Sequence, residues 1–144
     1  MIPRKGAVAV GTVALVAAMA VPASAQPMIE VVGEGLEAPR GLLMADDGSL
    51  LVAEAGTAGD TCPMGEAGFC FGPTGAIARI IDGDVMRIAE GLPSAGSGPE
   101  VVGPSDVAVG VDGDLYAIVN WGGDPGERAE GDLGGWIIRI PGDG

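Results

Sequence analysis

The sequence has no histidine, two cysteines, and only five aromatic residues: two tryptophans, two phenylalanines and one tyrosine among 144 residues. Without histidine there is no Ser-His-Asp or Cys-His arrangement and no His-bearing zinc site. Two cysteines cannot fill a four-ligand zinc centre alone. Basic residues are scarce too. Seven Lys and Arg stand against 20 Asp and Glu, a formal net charge of −13. Nucleic acid and anionic membrane surfaces are bound through Lys and Arg, so neither is an expected partner. Long helix-forming stretches are also missing beyond the N-terminus. The 27 glycines and 11 prolines recur as punctuation and stop any long helix there.

The N-terminus reads as an export signal. Arg4 and Lys5 form a short positive region, and residues 6–21 are almost wholly apolar. Small residues at Ala23 and Ala25 complete an A-x-A pattern, which places cleavage after Ala25. The alternative is a retained membrane anchor. The run of 16 residues falls short of the about 20 needed to span a bilayer. Residues 1–25 are therefore expected to be a signal-peptide helix, 26–34 a linker or first strand, and 35–144 the folded part. The expected location is secreted or periplasmic, with no membrane contact after cleavage.

Between the Gly and Pro punctuation lie seven apolar runs of strand length: 41–44, 50–55, 76–81, 85–89, 106–111, 115–119 and 136–140. Asp47-Gly48, Asp82-Gly83 and Asp112-Gly113 separate consecutive runs. Asp-Gly favours the positive φ of a type I′ hairpin turn, so these pairs are expected to be antiparallel neighbours. The fold class is all-β.

A repeat narrows the architecture. "APRGLLMADDGSLLVAEAG" (38–56) aligns with "GPSDVAVGVDGDLYAIVNW" (103–121) at an offset of 65. Pro39, Asp47, Gly48 and Leu50 match Pro104, Asp112, Gly113 and Leu115. "GAIARI" (75–80) and "GWIIRI" (135–140) form a second matching pair, with Arg79 and Arg139 in the same place. Four-stranded antiparallel units in tandem describe propeller blades. Blade one is expected over about 38–94 and an incomplete blade two over about 100–144, with long loops accounting for the large offset. Leu50–Ala53 and Leu115–Val119 are apolar on both faces, as in strands buried between packed sheets. Arg79, Arg87 and Arg139 mark the more solvated strands.

"APRGLLMADDGSLLVAEAGTAGDTC", "CFGPTGAIARI", "EGLPS", "GPSDVAVGVDGDLYAIV" and "GGDPGERA" resemble the N-terminal blades of the ScyD/ScyE family, exported bacterial β-propellers related to NHL-type repeats. The resemblance covers about residues 35–140. It implies a parent of about six blades, of which this chain would be an N-terminal fragment. It brings no catalytic residue set.

Two functions follow as expectations. One is a non-catalytic binding or scaffold module, whose partner is an unidentified small molecule or protein. The other is a metal-dependent hydrolase of the SMP-30 or gluconolactonase type, with Ca2+ held by oxygen ligands. Glu54, Asp106 and Asn120 are the candidate ligands, and they make only a partial set. The Asp-Gly-Asp runs at 82–84 and 112–114 lack the further acids of a calcium loop and read as turns. Ser105 does not satisfy G-x-S-x-G, and Ser94 and Ser97 lie in a Gly/Pro stretch with no base nearby in sequence. Trp121 and Trp136 are candidates for a ligand-stacking surface, with packing at blade edges as the competing role. Residues 125–129 hold the one short helical turn expected in the folded part.

Cys62 and Cys70 enclose "PMGEAGF". The spacing is not the C-x-x-C of a redox site. Export puts the pair in an oxidising compartment, so a disulfide stapling a Gly-rich loop between the second and third strands is expected.

Overall fold

Each apolar run becomes a strand. The structure is a computed structural model that describes residues 27–63, 65, 68–120 and 135–142. The expected signal helix, Trp121 and the expected helical turn at 125–129 lie outside the described residues. Eight strands follow in order: β1 (Pro39–Met44), β2 (Leu50–Glu54), β3 (Cys70–Ile81), β4 (Asp84–Ser97), β5 (Glu100–Val102), β6 (Pro104–Val109), β7 (Leu115–Val119) and β8 (Ile137–Ile140). They form two antiparallel meanders, β1-β2-β3-β4-β5 and β6-β7-β8. The fold is all-β, with no helix among the described residues.

The three Asp-Gly turns divide into two kinds. At Asp82-Gly83 both residues have positive φ (52° and 91°) and Ile81 pairs with Asp84, as the type I′ reading requires. The other two are longer. Ala45 N–H donates to Ser49 O and Gly48 N–H to Ala45 O, and only Gly48 of that loop has positive φ. Gly110, Gly113 and Asp114 repeat this pattern. Both are three-residue loops ending on a left-handed glycine rather than two-residue type I′ turns. The cause is local. Asp47 accepts from the Ser49 amide and Asp112 from the Asp114 amide, which closes the chain one residue further on.

The middle hairpin is longer than its apolar runs. β3 starts at Cys70 and β4 runs on to Ser97, through "FGPTG" and "GLPSAGS", so the large repeat offset comes partly from strand as well as loop. Pro73 interrupts no ladder because it lies where the register shifts between Gly72 and Gly75. Glu100–Val102, assigned in sequence to the head of the second unit, pairs instead with the end of β4 (Ala95 with Val102). The first sheet therefore ends at Val102 and the second begins at Pro104.

The two sheets stack through one core. Leu51, Ala53 and Ile77 of the first sheet meet Val107 and Ala117 of the second, flanked by Leu43, Leu92, Leu115, Ile138 and Ile140. β1 and β6 cross so closely at Gly41 that a Cβ there would sit 2.6 Å from the Asp106 Cα. Glycine is required at that crossing for space, not for its φ.

Register shows how the stack is built. Leu42, Val52 and Ala78 form a cross-strand row in the first sheet, and Val107, Ala117 and Ile138 form the matching row in the second. Met44–Leu50–Ile80 matches Val109–Leu115–Ile140 in the same way, and Leu43–Leu51–Arg79 matches Ala108–Tyr116–Arg139. The face that the first sheet buries is the Leu43–Leu51 face, whereas the second buries its Val107–Ala117 face. The sheets are therefore stacked in the same sense, front of one on back of the next. They do not pack face to face through equivalent rows.

The back of the first sheet has its own cover. Val52, Ala78 and Ile80 pack under Leu36, with Leu50 and Val85 at the margin. Residues 27–36 cross this face in irregular conformation, and Met28, Ile29, Val31 and Val32 are exposed.

Candidate functional site

Glu54 closes β2 and is fully buried. Both its oxygens are occupied. Arg87 on β4 donates Nε–H to Oε2 (3.0 Å) and Nη2–H to Oε1 (3.0 Å), and the Glu37 amide also donates to Oε1 (2.6 Å). The hydrogen bonding that Arg87 donates to Glu54, first among the causes, raises the Arg87 pKa further above its already high value. Asp106 on β6 accepts from the amide of Val107 (2.9 Å) and lies against Gly41. Asn120 follows β7, exposed, and its amide donates to Gly103 O. Glu54 thus lies on β2, Asp106 on β6 and Asn120 just after β7, each with its own partners. Among the described residues, no three or more His, Cys, Asp or Glu side chains are grouped so that they could hold a metal ion.

Trp136 precedes β8 with its ring half exposed, and its carbonyl accepts from the Val119 amide. Trp121, the other residue of the expected stacking surface, lies outside the described residues. The serines are structural. Ser94 is buried and its Oγ accepts from the Ala58 amide (3.0 Å), while Ser105 Oγ donates to Ile118 O (3.3 Å). Ser94 belongs to a clasp that fixes the turn after β2, where Thr74 Oγ1 accepts from the Thr57 amide and donates to Ala58 O.

Cys62 and Cys70 form the expected disulfide between β2 and β3. The loop is more regular than its glycine content implies. Thr61 and Phe71 exchange two backbone hydrogen bonds beside the disulfide (3.1 and 2.9 Å), and Gly65 and Gly68 complete turns within it. The staple closes a small hairpin laid against the head of β3. Phe69 and Phe71 pack at 6.5 Å between centroids on one side of it.

Sequence reasoning missed a cleft between the two three-residue turns. It has a volume of about 610 Å³, and Leu43, Leu51, Val109 and Leu115 make its apolar walls. Asp47 and Arg79 stand on its rim. Arg79 donates to Asp47 and, through Nε–H, to Ser49 Oγ (3.0 Å); Ser49 Oγ donates in turn to Asp47 Oδ1 (2.6 Å). The Ser49 hydroxyl and then its amide hold the Asp47 carboxyl below the usual carboxylate range, with Arg79 adding to them. The second sheet repeats the device. Arg139 pairs with Asp114, and the Gly142 amide donates to the other Asp114 oxygen (2.9 Å). That amide, followed by Arg139, lowers the Asp114 pKa, and Asp114 is nearly buried. Each third-strand arginine, expected to be merely solvated, ties its strand to the first turn of its own sheet. The signal was present in sequence: Asp47 and Asp112, Ser49 and Asp114, and Arg79 and Arg139 all hold matching positions in the repeat.

The cleft has the size of a small-ligand site, within the usual range of roughly 300–1,000 Å³. Its apolar walls suit an apolar body. No helix among the described residues is long and apolar enough to cross a membrane. No family model, no curated protein and no solved structure matches the chain.

Proposed function

We propose that this chain is a pair of propeller-type blades of an exported, non-catalytic binding protein, of the kind its sequence resemblance to the ScyD/ScyE family implies. The same-sense stacking of two sheets with matching rows carries the reading, since that is the packing by which blades succeed one another. The disulfide fits export, because such bonds persist in oxidising compartments. The cleft between the two turns is the binding site of this reading, for a small and largely apolar ligand. Glu54, saturated by Arg87 and the Glu37 amide, is unavailable to a cation, which favours binding over metal-dependent hydrolysis.

Titration with a neutral apolar dye such as Nile red tests the site. One dye per chain is expected, lost in Val109→Glu and retained in Ile118→Glu. Dye binding that ignores Val109→Glu overturns the assignment of the cleft. Calcium-dependent turnover of a lactone overturns the non-catalytic reading.

A further inference from the structure

Two stretches of this chain are composed as strands and lack a strand partner on one side among the described residues. The first is the outer edge of β8, whose one neighbour in the sheet is β7. Asn120 N–H donates to Gly103 O on the β6 side and Val119 N–H to Trp136 O on the β8 side, so alternate residues of β7 address opposite neighbours. Ala117 and Leu115 therefore bond their cross-strand partners Ile138 and Ile140. The N–H and C=O of Ile137 and Arg139 point away from β7 and have no partner among the described residues. β3, which holds the matching place in the first sheet, carries β4 along this same edge. An open edge of this kind is a template for another strand. The second stretch is "MIEVV", residues 28–32. Ile29, Val31 and Val32 are β-branched strand formers, yet the segment is irregular. Among the described residues, no hydrogen bond holds residues 28–34. Met28, Ile29, Val31 and Val32 are 98%, 91%, 68% and 52% exposed. Clefts of about 340 and 560 Å³ border Val31 and Val32, so the segment is loosely seated. Close packing begins only at Gly33, where a Cβ would meet Ile80 at 2.8 Å, and at Leu36 over Val52, Ala78 and Ile80.

We propose that residues 28–32 of one copy add to the β8 edge of a second copy as its fourth strand, a main-chain pairing that needs no preformed pocket. Complementarity of the two sequences names the occupant. Antiparallel pairing with Glu30 opposite Arg139 sets Ile29, Val31 and Val32 opposite Ile140, Ile138 and Ile137. Each β-branched residue then faces an isoleucine, and the one acid faces the one base. In this register the backbone groups of Glu30 and Val32 meet those of Arg139 and Ile137, the outward-facing pair of β8. The chain's own β8 is out of reach. Val32 adjoins Gly33, which lies on the back of the first sheet, whereas β8 belongs to the sheet stacked on its front. The contact is heterologous, joining the segment of one copy to the edge of the next.

On the export reading the mature chain starts at Gln26, and sedimentation of that chain at rising concentration tests the pairing. Its intact mass reads the cleavage separately from association. Val32→Pro and Ile137→Pro each delete one pairing N–H. Val32 lies outside every strand, and the Ile137 N–H points away from β7, so the β7–β8 ladder survives the proline. The wild type is expected to associate, and each variant alone to weaken association by at least about tenfold. The Val32→Pro copy keeps an intact edge and the Ile137→Pro copy an intact segment, so their mixture is expected to recover a one-to-one pair. Amide exchange is expected to slow at Glu30, Val32, Ile137 and Arg139 in the associated wild type. A wild type that stays a single chain at all concentrations overturns the proposal. So does association that either proline leaves intact, or that the mixture fails to restore. Circular dichroism of each variant excludes unfolding as the cause of lost association.

Discussion

Arg87 grips Glu54 with two nitrogens, and the carboxylate lies wholly out of solvent while the guanidinium remains partly exposed. The pair joins β4 to the end of β2 across β3. Removing the arginine leaves a buried carboxylate with only the Glu37 amide to satisfy it. Arg87→Met is therefore expected to lower stability by about 2–3 kcal/mol, below the full value for a buried pair because Arg87 is partly hydrated. Glu54→Gln in the same background is expected to recover part of the loss. Urea unfolding of Arg87→Met, Glu54→Gln and the double variant measures both effects, and independence of the two substitutions sinks the idea.

Gly41 sets the distance between the sheets. A valine there would place its Cβ against the Asp106 backbone, which cannot yield as a flexible side chain can. Gly41→Val is expected to cost at least about 2–3 kcal/mol and to lower the unfolding temperature by several degrees. Gly48→Ala is a useful comparison. Nothing lies near a Cβ at that position, and its cost of about 1 kcal/mol comes from the positive φ alone.

Acidification should release the two turn clamps. Asp47 and Asp114 both titrate below the ordinary 3.8, so their contribution is complete above about pH 4 and disappears as pH falls through the lowered values. The urea midpoint is expected to drop across that window. In the double variant Asp47→Asn with Asp114→Asn the drop should be shallower. An unchanged slope means that other carboxylates dominate the acid limb. Ser49→Ala alone should move the Asp47 titration toward its ordinary value, because the Ser49 hydroxyl is the main cause of the shift.

The Cys62–Cys70 bond closes a short loop already held by the Thr61–Phe71 pair. Its removal by Cys62→Ser with Cys70→Ser is expected to cost about 2–3 kcal/mol. The loss should be local first. Limited proteolysis is expected to cut within residues 62–70 of the variant while leaving the wild type whole. A variant as resistant as the wild type shows that the backbone bridge suffices.

The strands and their order were legible because apolar runs and Asp-Gly turns alternate so regularly. Leu50–Glu54 is buried on both faces as its composition implies, yet Pro39–Met44 and Leu115–Val119 each keep one open row, which only the direction of stacking reveals. The extension of β3 and β4 was hidden because Gly72, Pro73, Gly91 and Pro93 have the composition of a loop; register shifts absorb Pro73. The Glu54–Arg87 pair was hidden because its members are 33 residues apart and nothing local links them. The turn clamps lay in plain view as matching positions, but their meaning depends on which face each arginine occupies. The cleft is a product of two turns from different sheets and has no local signature at all.

The joint at Gly103 has a consequence for how such a chain can change in length. A complete unit inserted between Val102 and Pro104 would bury the existing front of the first sheet under its own back and offer its own front to Pro104–Val109. Every contact created would be of a kind already present, and none would need redesign. Growth by duplication is then nearly free of steric conflict at this one joint, whereas an insertion inside either meander would break a ladder. Lineages of this chain should therefore differ by whole units, added or lost at the boundary between sheets.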